Sequence, residues 1–315
     1  KKIWGDHPYG ITTATKETIS AITREKLVNF HKQMFIPNNA VLVIVRDVDK
    51  NKIANDVAKL FGSWKQGTLP AANFPAPPTR TDKTLTIVNR DGSSQSNILM
   101  ANLGINRTDP DFFPLLVMNQ IYGGGASSRL FMNLREAKGY TYGAYSNFDT
   151  KRLAGSFGSS AEVRNEVTGA SLKEFFGEME RIRTTPVPAQ ELADAKSFLT
   201  GIFPIQLETQ DGLLAQLVRI QLNNLPADYL QTYRDKINRV TAADVQRVAN
   251  KYITPDKIAV VIVGDAGEIL KQSKPYFTNI EIFDTVGKKI DAATFENASN
   301  AAPSVNVTGK WELSM

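Results

Sequence analysis

The residue types best suited to chemistry lie in one stretch, residues 122–146, which reads YGGGASSRLFMNLREAKGYTYGAYS. It combines three consecutive glycines at positions 123–125 with an arginine, Arg135, and a tyrosine, Tyr142. The backbone N–H groups of a glycine run can bind an anion, but no Lys followed by Ser or Thr comes after this run, so a phosphate-binding loop is not indicated. The sequence instead predicts a turn in which the glycines adopt positive φ.

Arg135 and Tyr142 lie seven residues apart, with Gly139 between them. A glycine after a short helix lets the chain reverse, so the arginine near the helix end and the tyrosine on the next strand are predicted to converge. Spacing alone leaves two interpretations open. Either the pair contacts a ligand, or Arg135 complements the helix C-terminus and Tyr142 fills a half-buried sheet position.

Metal-ligating residues are scarce, because the chain has no cysteine and only two histidines, His7 and His31. The lack of cysteine excludes disulfides, thiolate nucleophiles and cysteine-ligated metal sites. The histidines are 24 residues apart with no glutamate between them at metal-ligand spacing. They are interpreted as a loop histidine and a helix-surface histidine, and no metal ligand is predicted, since a catalytic zinc site needs three protein ligands.

The composition is that of an ordinary globular protein, with 42% hydrophobic and 22% charged residues in 315. The 37 basic and 32 acidic residues form no basic block, so nucleic acid is not an expected partner. No apolar run approaches the ~20 residues of a membrane span. The chain begins KKIWGDHPYG, without an initiator methionine or an apolar signal region, which predicts that residues precede Lys1.

An internal repeat relates residues 22–48 to residues 240–266 without a gap, with six identities in 27 positions at an offset of 218. In each copy a threonine precedes a stretch of helical periodicity, a proline ends it, and a β-branched run follows. Both copies are therefore predicted to form a helix and then a buried strand.

The two copies differ in what precedes them. Before the second copy, 156 residues run from residue 84 to residue 239, whereas only 21 residues precede the first copy. If the copies close equivalent domains, about 135 residues of the first domain are absent from this chain. The predicted organisation is a carboxy-terminal remnant of a first domain at 1–66, a proline-rich linker at 67–83, a complete second domain at 84–270, and a tail of unknown role at 271–315.

The second domain reads as strands followed by helices. Two strands are predicted around a turn at Asp91 and Gly92, then an apolar helix opened by Asp109, the short helix before Gly139, two strands rich in small residues, and three long helices between residues 164 and 224. This order predicts an α+β fold with an antiparallel sheet and helices packed on one face. In the tail, residues 279–291 read as a hairpin and residues 307–315 as the start of another strand.

Several motifs carry a resemblance to a known family. They are HPYG at 7–10, PNNAVLVIVRDVD at 37–49, GGGASSRLFMNLREAKGYTYG at 123–143, ELADAKSFL at 191–199, FPIQLET at 203–209 and YITPDKIAVVIVGD at 252–265. With them the chain resembles the insulinase/pitrilysin zinc peptidases, which include mitochondrial processing peptidase and bacterial zinc proteases. The resemblance covers about residues 5–266, and in that family two homologous α+β domains face each other, in agreement with the repeat.

The resemblance implies where the chemistry resides. The family binds zinc through a His-x-x-Glu-His helix and a distal glutamate in the first half of the first domain, and neither motif occurs in these residues. The resemblance therefore implies no cofactor in this chain and places zinc in the missing half of the first domain or in a partner subunit. It also implies that Arg135 and Tyr142 contact carbonyl groups of the substrate peptide and support charge in the transition state.

These observations predict the carboxy-terminal, non-zinc part of a zinc metalloendopeptidase, inactive alone, which contributes peptide binding to proteolysis. The expected partners are a peptide or unfolded protein substrate and a zinc-bearing peptidase domain or subunit, with a homodimer or heterodimer as the assembly. The alternative is a catalytically inactive family member that acts as a partner subunit or peptide-binding scaffold. The expected compartment is the bacterial periplasm, with the cytoplasm as the other option.

Overall fold

The computed structural model describes residues 1–298. Its seven strands are β1 (Thr84–Asn89), β2 (Gln95–Gly104), β3 (Thr141–Thr150), β4 (Gly155–Arg164), β5 (Ala259–Gly264), β6 (Ile280–Phe283) and β7 (Lys289–Ile290). Its helices are α1 (Lys16–Ser20), α2 (Arg24–Met34), α3 (Lys50–Phe61), α4 (Phe112–Tyr122), α5 (Arg129–Phe131), α6 (Thr168–Thr184), α7 (Ala189–Leu207), α8 (Gln210–Leu222), α9 (Tyr229–Asn238), α10 (Ala242–Tyr252), α11 (Ala266–Ser273) and α12 (Ala293–Ala298).

The strands form one sheet in the order β3-β4-β2-β5-β1-β6-β7. Four neighbouring pairs are antiparallel, and β1 pairs in parallel with both β5 and β6. Gly92 has a φ of +69°, as the predicted turn between β1 and β2 requires. These two strands do not pair with each other, however, because β5 from the end of the domain lies between them.

The sheet has one buried and one open face. Along β2, Ile98 and Met100 are buried while Asn97 and Leu99 are exposed, which is the period-2 alternation of a sheet covered on one side. Helices α4, α6, α10 and α11 pack against the buried face. The core there includes Phe157 and the apolar side chains of α4 and α6. The predicted α+β class, with helices on one face of a mainly antiparallel sheet, is confirmed.

The open face of the sheet is partly covered by the first residues of the chain. Ile3 and Trp4 form a small cluster with Ala259 at the start of β5, and Leu103 packs against it. Arg80 anchors the segment that leads into β1, because its guanidinium donates to the carbonyl oxygens of Lys2 and Lys257.

The repeat appears in the structure as the same helix in the same register. Helix α2 and helix α10 both start one residue after a threonine, Thr23 or Thr241, whose hydroxyl accepts the backbone N–H three residues later. Each helix is followed by a 3-10 turn, Pro37–Asn39 or Pro255–Lys257. The offset of 218 residues holds at each of these boundaries.

The β-branched run of the first copy is a correction to the sequence prediction. Residues 40–45 were expected to form a buried strand, but they form no strand, and Val41, Leu42 and Ile44 are exposed. The equivalent strand β5 is hydrogen-bonded on both sides, to β1 and β2. No neighbouring strand lies beside residues 40–45 in the described part of the chain, so the run has no partner for its backbone N–H and C=O groups.

Residues 271–298 continue the sheet. Strand β6 extends it beside β1, and β6 and β7 pair as an antiparallel hairpin, as predicted for residues 279–291. The predicted strand at 307–315 lies outside the described residues. Among residues 1–298 the structure contains no helix with both the length and the hydropathy of a membrane span.

Candidate functional site

Arg135 lies on an unusual helical segment. Helix α5 continues as a π-helix over Met132–Ala137, in which Lys138 N–H donates to the carbonyl of Asn133. Leu130 and Leu134 are fully buried and hold the segment against the core, while the side chain of Arg135 reaches solvent. A π-turn changes which side chains share a face and occurs often at functional sites. The predicted short helix is therefore present, with a geometry that the sequence did not indicate.

The chain reverses after this segment, as predicted. Gly139 has a φ of +62°, and its N–H donates to the carbonyl of Arg135. The reversal brings the guanidinium of Arg135 to Tyr142, whose backbone carbonyl accepts a hydrogen bond from Nη1 at 2.8 Å. Arg135 Nε donates to Glu136 Oε1 at 3.0 Å. Arg135 lies in the last turn of the π-helix, and its guanidinium donates to the strand rather than to a carbonyl of its own helix.

Tyr142 projects into solvent. It lies at an irregularity of β3, where the register against β4 shifts between Thr141 and Ala144. The Thr141 hydroxyl accepts the N–H of Gly143 at 3.1 Å and donates to its carbonyl, which stabilises the bulge. The Tyr142 side chain is 87% exposed, and its hydroxyl has no hydrogen-bond partner among the described residues. Tyr142 therefore does not fill a half-buried position of the sheet.

Arg135 and Tyr142 line one cavity of about 700 Å³ at the edge of the sheet. Its charged lining is mixed and contains two arginines, Arg135 and Arg164, and three glutamates, Glu136, Glu162 and Glu166. Arg164 donates to Glu166 at 2.7 Å, and this hydrogen bond lowers the pKa of the Glu166 carboxyl. The Tyr142 O–H and the unused N–H groups of Arg135 are donors directed at solvent. The chemistry available here is hydrogen bonding to carbonyl oxygens or to an oxyanion.

The glycine run has a different role from the predicted one. None of the three glycines at positions 123–125 has a positive φ, and the φ of Gly123 is −157°. A Cβ on Gly123 would lie 2.5 Å from the backbone N of Ser146, and one on Gly124 would lie 2.7 Å from Gln120 Cα. The Gly123 carbonyl also accepts the Ser146 N–H at 2.8 Å. Glycine is needed here for close approach between the end of α4 and strand β3.

An ion pair that the sequence analysis did not identify holds the site in place. Arg129 Nε and Nη2 donate to Oε1 and Oε2 of Glu191 at 2.8 and 2.7 Å, which links α5 to the first turn of α7. The Arg129 side chain is almost fully buried. Asn133 adds hydrogen bonds to Glu174 and Glu178 on α6. Partners so distant in sequence leave no local signal, although each of the three glutamates lies in a helix that the sequence predicted.

The histidines do not form a metal site. His7 is buried, its Nδ1 accepts the N–H of Tyr9, and its ring packs against Trp4. His31 stacks on Phe35. In residues 1–298, no three His, Asp or Glu side chains are grouped so that they could hold a metal ion. The donor set of the described residues therefore does not fit a catalytic zinc ion.

A family model described as the peptidase M16 inactive domain matches residues 21–199, which is more than half of the chain. The chain belongs to this family. This assignment confirms the resemblance to insulinase/pitrilysin zinc peptidases. The range that the M16 model matches includes Arg135, Tyr142 and the glycine run.

Proteins named as zinc proteases are among the relatives of this M16 chain. One from Mycobacterium leprae is 27% identical over 278 residues, which cover 82% of this chain and 59% of the relative. The Bacillus subtilis zinc protease YmxG is 23% identical over 276 residues, covering 85% of this chain and 64% of YmxG. This chain therefore spans about 60% of the length of the relatives that it matches.

Solved structures agree with the fold. The crystal structure of a peptidase M16 inactive domain from Pseudomonas fluorescens has a TM-score of 0.77 and 28% identity, covering 84% of this chain and 63% of that chain. A protease from Helicobacter pylori has a TM-score of 0.71 at 22% identity, covering 79% of this chain and 61% of that chain. The second likeness concerns the fold alone.

Proposed function

We propose that this M16 inactive domain forms the non-zinc wall of a peptidase cavity, where it binds an extended peptide and supports the transition state of its hydrolysis. The observation that carries the proposal is the arrangement of Arg135 and Tyr142. The arginine is fixed against the carbonyl of Tyr142, while the tyrosine hydroxyl stands free at the mouth of a 700 Å³ cavity.

The hydrogen-bond donors of this pair suit a peptide substrate. Arg135 uses Nη1 and Nε within the chain, which leaves the N–H groups of Nη2 for a ligand. Tyr142, which lines the same cavity, adds one O–H donor. Carbonyl oxygens of a peptide accept such bonds, and an oxygen that gains negative charge accepts them more strongly. One fixed donor of this kind contributes about 3 kcal/mol to transition-state stabilisation.

A second surface supports the proposal that a zinc-bearing domain or subunit binds this chain. We define the N-terminal apolar surface as Leu27, Phe30, Leu42, Ile44 and Leu60, all of which are exposed, with Leu60 at 74%. Helices α2 and α3, which carry three of these residues, have no buried residue at all. Large apolar side chains exposed in such number on consecutive elements are typical of a surface that a partner covers. We propose that the zinc-bearing half of the first domain covers it, in the same polypeptide or in another subunit.

The test is to compare the 315-residue chain with the same chain extended upstream of Lys1 by its coding sequence. We expect the extended protein to hydrolyse a fluorogenic extended peptide, to lose this activity with a chelator and to regain it with Zn²⁺. The 315-residue chain should show no hydrolysis under the same conditions. Metal-dependent hydrolysis by the 315-residue chain, or an active extended protein that ignores chelators, would overturn the proposal.

The second candidate is a family member that captures extended peptides without hydrolysing them. It is favoured by the position of β3, which is the edge strand of the sheet and carries Tyr142. An exposed edge offers unpaired N–H and C=O groups to an added strand. An upstream reading frame without a His-x-x-Glu-His sequence, together with micromolar peptide binding and no turnover, would decide for this candidate.

A further inference from the structure

A second cavity of about 710 Å³ lies on the helical side of the domain and shares no lining residue with the Arg135 and Tyr142 cavity. It is bounded by the loop that leads into α4, the connection between α8 and α9, and one side of helices α9 and α10. Much of its wall is apolar or aromatic. The apolar lining residues are Pro110, Phe112, Phe113, Pro114, Leu225, Pro226 and Val240, with Tyr229 beside them.

Arg107 is the buried charge in this wall. The residue is only 5% exposed, and its guanidinium carbon lies 3.5 Å from the centre of the Phe112 ring. Nη2 donates to the hydroxyl of Tyr229, whereas Nε and Nη1 have no hydrogen-bond partner among the described residues. Both nitrogens keep some exposure to solvent and can therefore be reached by a ligand in the cavity. No carboxylate of the described chain pairs with Arg107, although buried arginines are nearly always paired.

The other charges around the cavity add to its positive character. Lys236 and Arg239 line it and form no ion pair within residues 1–298. Of the three lining carboxylates, Asp111 is neutralised by Arg247 and Lys251.

The other two carboxylates are Asp244 and Asp109. The Asp244 carboxylate accepts hydrogen bonds from the N–H and the hydroxyl of Thr241 at the start of α10, and it contacts Arg247. Asp109 has no cation beside it, and its Oδ1 accepts the N–H of Asp111. Three unpaired cations, Arg107, Lys236 and Arg239, therefore oppose one unpaired carboxylate, and the cavity favours an anion.

We propose that this cavity binds a small organic carboxylate with an apolar body. The carboxylate accepts hydrogen bonds from Nε and Nη1 of Arg107, and the apolar body lies against Phe113, Leu225 and Val240. A volume of about 710 Å³ and mainly apolar walls with a few directed polar groups are typical of small-molecule sites. The carboxylate belongs either to a free acid or to the C-terminal residue of a peptide. Both sources present the same chemistry to Arg107.

The experiment titrates the 315-residue chain by isothermal calorimetry with 3-phenylpropionate and, separately, with N-acetyl-glycyl-phenylalanine, which carries a free C-terminal carboxylate. We expect saturable 1:1 binding of at least one of them with a Kd of about 1 mM or tighter. The neutral amide of the same compound should bind at least about tenfold more weakly, because it leaves the Arg107 charge unpaired. The tighter of the two carboxylates identifies the source.

Two variants test the site itself. Arg107→Gln should weaken carboxylate binding about tenfold or more, whereas Arg234→Gln, an exposed arginine on the same helix as Tyr229, should leave it unchanged. Because loss of the Tyr229 hydrogen bond could unfold the first variant, Leu225→Trp fills the cavity while Arg107 stays in place, and it should also abolish binding. Equal binding of acid and amide, unchanged binding in a folded Leu225→Trp variant, or no saturable binding of either carboxylate would overturn the proposal.

Discussion

At the scale of single residues, Asp111 shows how one carboxylate joins two helices. It precedes α4 and accepts hydrogen bonds from three residues of α10, which are Arg247 at 2.7 Å, Lys251 at 2.9 Å and Tyr252 at 2.7 Å. Burial alone would raise the pKa of Asp111, but the three donors outweigh it and lower the pKa to about 2. The ionised form is therefore the one that the folded protein stabilises.

This pKa predicts how stability depends on pH. Because the folded-state pKa is below the unfolded value of 3.8, the contribution of Asp111 is complete above about pH 4 and is lost as the pH falls towards 2. Its size is about 2 kcal/mol. Urea unfolding from pH 2 to pH 6 measures it. We expect Asp111→Asn to lower stability at pH 6 and to reduce the pH dependence, while the exposed Asp235→Asn changes neither. An Asp111→Asn protein with the wild-type pH profile would contradict the assignment.

The second prediction at this scale concerns Tyr142 and Arg135. If their donors support the transition state, Tyr142→Phe or Arg135→Ala lowers kcat of the upstream-extended peptidase by ~10- to 1000-fold. Thermal stability should hardly change for Tyr142→Phe, since its side chain is 87% exposed and its hydroxyl has no partner in the described residues.

Tyr145→Phe is the matched control for this prediction. Tyr145 lies on the same strand and is partly exposed, but its ring packs against Phe131 at 5.6 Å and it does not line the cavity. Peptide hydrolysis by the Tyr145→Phe enzyme should equal that of the wild type. Full activity in the Tyr142→Phe and Arg135→Ala enzymes would remove the catalytic role from the pair.

At the scale of secondary-structure elements, the contact between α4 and β3 depends on Gly123. A methyl group at this position would overlap the backbone N and the hydroxyl of Ser146, at 2.5 and 2.4 Å. We predict that Gly123→Ala lowers the free energy of unfolding by about 1–3 kcal/mol, as overpacking does elsewhere. Gly177→Ala on α6 is the control with the opposite sign. Its new methyl group meets no atom within 4 Å, so it should stabilise the helix by up to about 1 kcal/mol.

Urea unfolding of both glycine variants tests whether position 123 needs glycine for the close approach of α4 and β3 or for its backbone conformational freedom. An unchanged Gly123→Ala protein would show that α4 and β3 can move apart without cost. Since β3 carries Tyr142, we also expect peptide binding to weaken in Gly123→Ala and to stay the same in Gly177→Ala.

The elements differ in how well the sequence predicts them. Helices α4, α6, α7, α8 and α10 follow from apolar spacing and caps, which are local signals, whereas α1, α3, α9, α11 and α12 were not predicted. Strands β1 and β2 were identified, but their separation by β5 was not, because pairing with β5 joins residues more than 150 positions apart. The sequence predicted that Arg135 and Tyr142 converge, because only six residues lie between them and one of these is Gly139.

The π-helix and the contacts of Arg107 could not be predicted from the sequence. The π-helical turn depends on how Leu130 and Leu134 fit the core, which no local pattern encodes. Arg107 meets Phe112 five residues on, but its hydrogen-bond partner Tyr229 is 122 positions away. Buried polar contacts of this kind appear only once the tertiary structure is known.

At the scale of the whole molecule, the two copies of the repeat show what a strand needs. Their helices and 3-10 turns share boundaries at a constant offset, since local caps and periodicity determine them. Their β-branched runs are alike in sequence and differ in structure. Residues 259–264 lie between two strands, while residues 40–45 have no strand beside them in the described chain. The difference lies in the surroundings and not in the residues.

This contrast predicts a change on assembly. If the zinc-bearing half of the first domain covers the N-terminal apolar surface, residues 40–45 gain strand partners and their amide hydrogens become protected from exchange. Hydrogen exchange followed by mass spectrometry should find residues 40–45 fast in the 315-residue chain and slow in the upstream-extended protein, with residues 259–264 slow in both as the internal control. Phe30→Asp, which puts a charge in the interface, should keep residues 40–45 fast, whereas Leu222→Asp on exposed α8 should not. Fast exchange at residues 40–45 in a folded, active extended protein would show that this run is not a strand of a completed domain.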